Sequence, residues 1–246
     1  VCNSIGVMPY NPVSLTAFSA KTDISDSGKC GDNLTWTLDN EGTLIISGEG
    51  AINERGPWCF DESIKTIIIE NGITTIRTNA FAAMTEVTEI ILPDTLTTIE
   101  KWAFNGFQKL TSLKIPASVT HISEEFIGYD FQLDTITVDE NNEYYTDVDG
   151  VLFDKEMKTL ITYPTGKSET KYIIPNGVEK ICDHAFDDNK QLTKVEFSDS
   201  IVDIGDWAFD SCVNLSEVVL NDGIKNIGID AFKDCENLKR INLPDG

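Results

Sequence analysis

An isoleucine followed five positions later by phenylalanine recurs along this chain at a fixed stride. The pairs are Ile76/Phe81 and Ile99/Phe104, then Ile181/Phe186, Ile204/Phe209 and Ile227/Phe232. Within each group the step is constant, from 76 to 99, from 181 to 204 and from 204 to 227, and alanine precedes every phenylalanine, at Ala80, Ala103, Ala185, Ala208 and Ala231. A weaker copy stands at Ile122, with Phe126 and Ile127 in the Ala and Phe slots. Downstream, three apolar columns keep the same stride. One is Val87, Leu110, Leu133, Leu192, Leu215 and Leu238; the next is Ile90, Leu113, Ile136, Val195, Val218 and Ile241; the third is Leu92, Ile115, Val138, Phe197, Leu220 and Leu243. Self-similarity at one period in this range is the signature of a repeat architecture.

The segment Leu-x-x-Ile-x-Leu reads as a short strand with one apolar face, and the Ala-Phe segment as a tight helical or 3₁₀ return. A unit this small cannot bury its own apolar stripe, whereas stacked units bury it continuously. The expectation is an α/β repeat solenoid of 23-residue units, with one parallel strand per coil forming a sheet along one face.

The unit Ile-x-x-Ile-x-x-x-Ala-Phe-x-x-Cys-x-x-Leu-x-x-Val-x-Leu resembles the BspA-like leucine-rich repeats of bacterial surface proteins. The best matches are residues 201–220 and 224–243, and the resemblance covers roughly 28–246. It implies a leucine-rich-repeat array in an extracellular or cell-surface bacterial protein, adhering to host or neighbouring-cell components through protein contacts.

Around the repeats, residues 28–62 are expected to form an N-terminal β cap. Trp36 and Leu38 lie before the turn at Asp39–Gly42, and Leu44 and Ile46 after it, which is a hairpin pattern. Trp36, Trp58 and Phe60 are suited to covering the first coil. The repeats proper run over 63–246, with an insertion at about 139–172, since Ile181 lies far beyond one stride from Ile122. Within the insertion, apolar runs at 151–153 and 160–163 flank Asp154–Lys158 and read as a second hairpin; its DGVLF and YP segments resemble a recurrent family variation. Residues 1–27 read either as a flexible leader or as the remnant of a processed secretion signal around Met8–Ala20. The chain stops at Gly246 where another coil is due, so the array is expected to continue.

Charge narrows the function classes. The 246 residues carry 19 basic and 41 acidic side chains, a formal charge of −22, which argues against a nucleic-acid footprint and against docking on anionic lipid. No apolar run approaches the roughly 20 residues of a membrane helix. The two histidines, His121 and His184, suggest no Ser-His-Asp or Cys-His set. Gly166-Lys167-Ser168 matches only the end of a phosphate loop, with Ile161 where its first glycine belongs. None of the six cysteines forms a CxxC pair; Cys212 and Cys235 share a column with Met84 and Phe107 and read as buried thiols. A Cys30–Cys59 disulfide is the better-placed pairing. The acids of 139–143 and 147–149 suit either calcium or plain turn chemistry. No cofactor, metal site or catalytic residue is assigned, and the chain is read as non-enzymatic.

What remains is the outward face of the strands. Its candidate binding residues are Ile91, Lys114, Lys194, Val219 and Arg240, a mixed set that suits a protein ligand. Trp102 and Trp207 share a turn column, where paired tryptophans either bind a sugar or anchor a protein, or else pack over the coil edge. The function expected is a binding solenoid acting in adhesion. A passive structural spacer or a carbohydrate-binding module is the alternative.

Overall fold

The computed structural model describes residues 23–130 and 132–242, with only the backbone of Asn242. Cys2, the stretch Met8–Ala20, Leu243 and Gly246 lie outside the described residues. The described chain is a solenoid with nine rungs in its main strand column: Thr43–Gly48, Thr66–Ile69, Glu89–Ile91, Ser112–Ile115, Thr135–Val138, Lys171–Ile173, Lys194–Glu196, Glu217–Val219 and Arg240–Asn242. Rungs pair in parallel and in the repeat register. Leu44 lies against Ile67 and Ile67 against Ile90; Leu113 lies against Ile136; Val195 lies against Val218 and Val218 against Ile241. This is the inward column, and each of these residues except Ile241 is buried.

No helix occurs among the described residues, so the α/β expectation is corrected to an all-strand-and-turn solenoid. The reason lies in the Ala-Phe returns. Phe81 N–H donates to Ala103 O, Ala83 N–H to Asn105 O, Phe186 N–H to Ala208 O and Phe209 N–H to Ala231 O, at 2.8–3.2 Å. These donors reach the next coil instead of a carbonyl four positions back, so no helical ladder forms. Two positions per return also sit in the left-handed region: Asn79, Trp102, His184, Trp207 and Asp230 in one column, and Ala83, Tyr129, Asp188, Ser211 and Asp234 in another. Residues held at positive φ break a right-handed helix.

The N-terminal strands also differ from the expectation of a two-strand cap. Leu34–Asp39 does pair antiparallel with Thr43–Gly48, with Trp36 opposite Ile46 and Leu38 opposite Leu44. A third strand, Ile24–Lys29, flanks them. Thr43–Gly48 pairs in parallel with Thr66–Ile69, one full stride on, so it is itself the first rung of the array. The insertion is likewise larger than one hairpin. Tyr145–Val148, Val151–Asp154 and Thr159–Thr162 form an antiparallel meander, and its last strand pairs in parallel with Lys180–Ile181. Lys167 of the Gly-Lys-Ser segment holds the meander down, its Nζ donating to Asp149 O at 2.8 Å from a site 6% exposed. Asn142 is buried and donates to Pro116 O and Val119 O while accepting from the N–H groups of Tyr144 and Tyr145. Asp139 accepts from Asn141 N–H within a turn, and Asp147 accepts from Val138 N–H, tying the meander to the rung before it. Among the described residues no three His, Cys, Asp or Glu side chains converge as metal ligands.

The core is a column of stacked rings. Trp58, Phe81 and Phe104 follow at 5.5 and 6.1 Å, and Tyr163, Phe186, Phe209 and Phe232 at 5.0, 4.6 and 5.2 Å. Cys212 and Cys235 donate their thiols to the carbonyls of Phe186 and Phe209, both at 3.1 Å. Cys30 and Cys59 are free thiols, not a disulfide, and Cys59 points toward the carbonyls of Asn79 and Ala80. Burial pushes the Cys30 thiol up to about 11 and Cys182 to about 12. Phe209 lies between two rings with no exposure, so Phe209→Ala is expected to cost about 3–5 kcal/mol in chemical denaturation. Phe60→Ala, at a site 72% exposed, should leave the midpoint nearly unchanged.

Candidate binding surfaces

Strand alternation puts every second residue of a rung outside. The register aligns Lys194, Glu217 and Arg240 in one outward column, and Glu196 and Val219 in the next. In the first group of rungs, Ile91 lies against Ile68. The candidates are thus brought onto one face but not into one cluster. Ile91 is half-buried, Lys114 and Arg240 are exposed, and Val219 is 53% exposed. Two of the cations have acidic neighbours: Lys114 Nζ is 3.4 Å from Asp139, and Lys194 Nζ is 2.8 Å from Glu196. Exposed pairs of this type contribute little to stability, but they blunt the positive charge offered to a partner. Sequence reading missed Ile173, which is 67% exposed beside Glu196 on the same face. The insertion hid the rung at 171–173, because that coil lacks the Ile-to-Phe spacing.

The opposite, turn-bearing side carries Trp102 and Trp207, and the structure separates them. Trp102 is 39% exposed, with Lys101 Nζ 4.3 Å from its ring centroid. Trp207 is half-buried and stacks on His184 at 5.2 Å. They do not form a paired platform.

Between them the edge loses a step. Lys180–Ile181 pairs with Asp203–Ile204 at the full stride, but with Thr159–Leu160 at an offset two positions short of it. Tyr163 N–H nevertheless donates to Ala185 O as Phe186 N–H does to Ala208 O. Leu160 and Tyr163 are therefore three positions apart where Ile181 and Phe186 are five. This coil omits two residues of the return and has none there in the left-handed region that Trp102, His184 and Trp207 occupy in theirs, so it runs flat. A cleft of about 330 Å³ opens there, with Trp102, Glu125, Tyr129, Asp130, His184 and Asp188 among its walls. Side chains span the missing step: Lys180 Nζ lies 2.7 Å from Glu124, and His184 Nε2 lies 3.9 Å from Glu125.

The cleft is rich in carboxyl groups, three of them already partnered: Glu125 by Lys101, Asp187 by His184 and Asp188 by Lys190. Asp130 is 2% exposed and its carboxylate accepts the N–H groups of Phe107 and Gly128. Burial pushes its acid well above the usual range. Burial, then the neighbouring Asp187, raise Asp188. The hydrogen bond between His184 Nδ1 and the Asp187 carboxylate, at 2.9 Å, raises the imidazole above its ordinary value. A histidine whose folded pKa is raised stabilises the fold fully below its unfolded pKa of about 6.5, and that contribution is lost as pH climbs through the folded pKa. Asp187→Asn is therefore expected to lower the His184 pKa in an NMR titration. It should also flatten the fall in unfolding free energy that wild type shows above about pH 6.5.

No curated protein matches the sequence significantly. Among solved structures, a leucine-rich repeat protein from Eubacterium ventriosum superposes with a TM-score of 0.61 at 23% identity, covering 87% of this chain and 71% of that one. A leucine rich cell surface protein from Faecalibacterium prausnitzii gives 0.57 at 23% identity, covering 88% and 82%. The pneumococcal vaccine antigen PcpA gives 0.56 at 18%, covering 89% and 81%. At these identities the likeness is one of fold. The BspA type leucine rich repeat region matches residues 54–156 and 163–246 in six copies, and the chain belongs to that family of leucine-rich repeats.

Proposed function

We propose that this chain is a non-enzymatic binding solenoid of a bacterial surface or secreted protein, holding protein partners against its strand face. The observation that carries this reading is the composition of that face. Ile173 and Val219 stand exposed among Lys171, Lys194, Glu196 and Glu217 on rungs fixed rigidly by the ladder. Exposed apolar anchors rimmed by polar groups are what protein interfaces use. A surface location agrees with the description of the Faecalibacterium structure as a cell surface protein, and adhesion is the role that the family resemblance suggests.

A passive spacer is the second reading, favoured by the ion pairs that neutralise Lys114 and Lys194. A carbohydrate module needs Trp102 and Trp207 exposed and coplanar, whereas one face of Trp207 is covered by His184.

The test is capture from a panel of purified extracellular-matrix and host surface proteins. Wild type is compared with the triple variant Lys114→Glu, Lys194→Glu, Arg240→Glu and with Val219→Asp. A protein bound by wild type and lost, by about tenfold or more in affinity, in either variant is the expected outcome, since one buried hot-spot residue is worth that much. A panel on which nothing binds above background overturns the binding reading in favour of the spacer.

A further inference from the structure

The turn-side cleft lies apart from the strand face, and its chemistry points to a different recognition event. Three features coincide in it. The flat coil at 159–163 omits two residues of the return, which leaves a hollow in an edge otherwise filled by successive turns. Two aromatic side chains line it while still reaching solvent, Trp102 at 39% and Tyr129 at 59% exposure. Four carboxyl-bearing residues, Glu125, Asp130, Asp187 and Asp188, line it as well, against Arg55 and His184.

One cation from the chain itself already shows what the site accepts. The Lys101 ammonium lies over the Trp102 ring at 4.3 Å and 2.7 Å from Glu125. That is a cation held between a π-face and a carboxylate. The same lysine side chain is 44% exposed, so it is tethered at the mouth without being locked in place. Tyr129, 59% exposed, lines the same hollow, which a side chain therefore reaches from solvent.

We propose that this cleft receives a cationic side chain, arginine or lysine, from a protein partner, with Lys101 occupying the Trp102–Glu125 position until it is displaced. Charge complementarity selects the occupant: the chain carries a formal charge of −22, and displacing Lys101 frees the Glu125 carboxylate for the incoming cation. Arginine matches best, because its flat guanidinium can stack on Trp102 while its N–H groups pair with Glu125. The proposal is independent of the strand-face reading, and either can fail without the other.

The test uses this chain and the peptide acetyl-Gly-Gly-Arg-Gly-Gly-amide, with a citrulline counterpart that keeps the shape and lacks the charge. Binding is followed by isothermal titration calorimetry for every variant and, where Trp102 is kept, by its indole N–H signal in a two-dimensional NMR titration. The arginine peptide should move that signal, and the citrulline peptide should bind about tenfold more weakly, the size of a partly desolvated cation–π contact. Glu125→Gln and Trp102→Asn should each weaken the arginine peptide; asparagine already occupies the Trp102 slot at Asn79, also at positive φ. Lys101→Ala should tighten binding by removing the internal occupant. Lys109→Ala makes the same charge change at a lysine paired with Glu86 elsewhere on the surface and should leave binding as it was. Equal binding of both peptides overturns the proposal, as does an identical response to Lys101→Ala and Lys109→Ala, which would mark attraction to a diffuse negative surface. The strand-face triple variant should bind the arginine peptide like wild type.

Discussion

Each coil of this protein satisfies its backbone on the next one, and the rest of the structure depends on that constraint. A single coil closes only short turns on itself, such as Ala80 N–H to Arg77 O and Leu96 N–H to Pro93 O, and an unpaired buried N–H or C=O is costly. The remaining groups of the strand rungs, the phenylalanine N–H groups of the returns and side chains between them donate or accept across one coil step. Thr97 Oγ1 bonds Thr74 O, Thr193 Oγ1 bonds Thr170 O and Ser216 Oγ bonds Thr193 O, each one coil back along the chain. Once the ladder fixes the step, rings in the same slot must stack, and Phe186 and Phe209 lie at 4.6 Å with planes 11° apart. The same step imposes left-handed backbone at residues as large as Trp102 and Trp207, a strain the surrounding ladder holds in place.

A solenoid built this way is uniform along its length unless something interrupts the step. The meander at 145–162 does so without breaking the stack. It keeps the inter-coil bonds, with the Tyr145 hydroxyl accepting from Ile122 N–H at 2.8 Å, while the return after its last strand is two residues short. The chain thus remains one continuous stack at the core and carries a notch on its turn side. The wide, mixed strand face and the narrow, acidic notch are two surfaces of different chemistry on one scaffold, and the insertion is the reason the second exists.

Much of the fold is legible from the stride alone. The columns that start at Val87 and Ile90 are buried except in the last coil, and Met84 and Cys212 fill their core slot beside Phe107. The third column is less regular, since Leu92, Val138 and Phe197 are only half-buried at the ends of their strands. Part of the same signal is masked. Leu44 stands one stride before Ile67, Trp58 one stride before Phe81 and Tyr163 one stride before Phe186, so the first rung and the flat coil keep the register. A hairpin and an insertion obscure them, because each has a stronger local pattern than a degenerate repeat has. The helical reading of Ala-Phe fails for another reason: local propensity says nothing about where an N–H will find its acceptor, and while the alanine N–H closes a single turn, the phenylalanine N–H finds its acceptor on a neighbouring coil.

By itself the sequence determined the repeat unit, its inward faces, the strand register within each group of coils and the acidity of the whole, because periodicity and charge are properties of residue order. Only the tertiary structure decided that the turns are not helices, that Cys30 and Cys59 remain thiols, that Trp102 and Trp207 are kept apart, and that Glu125, Asp130, His184 and Asp188 line one cleft. Those outcomes depend on how coils on either side of the insertion meet. The offset that decides it falls two positions short of the regular stride, and inter-coil hydrogen bonds between segments far apart in the chain set it.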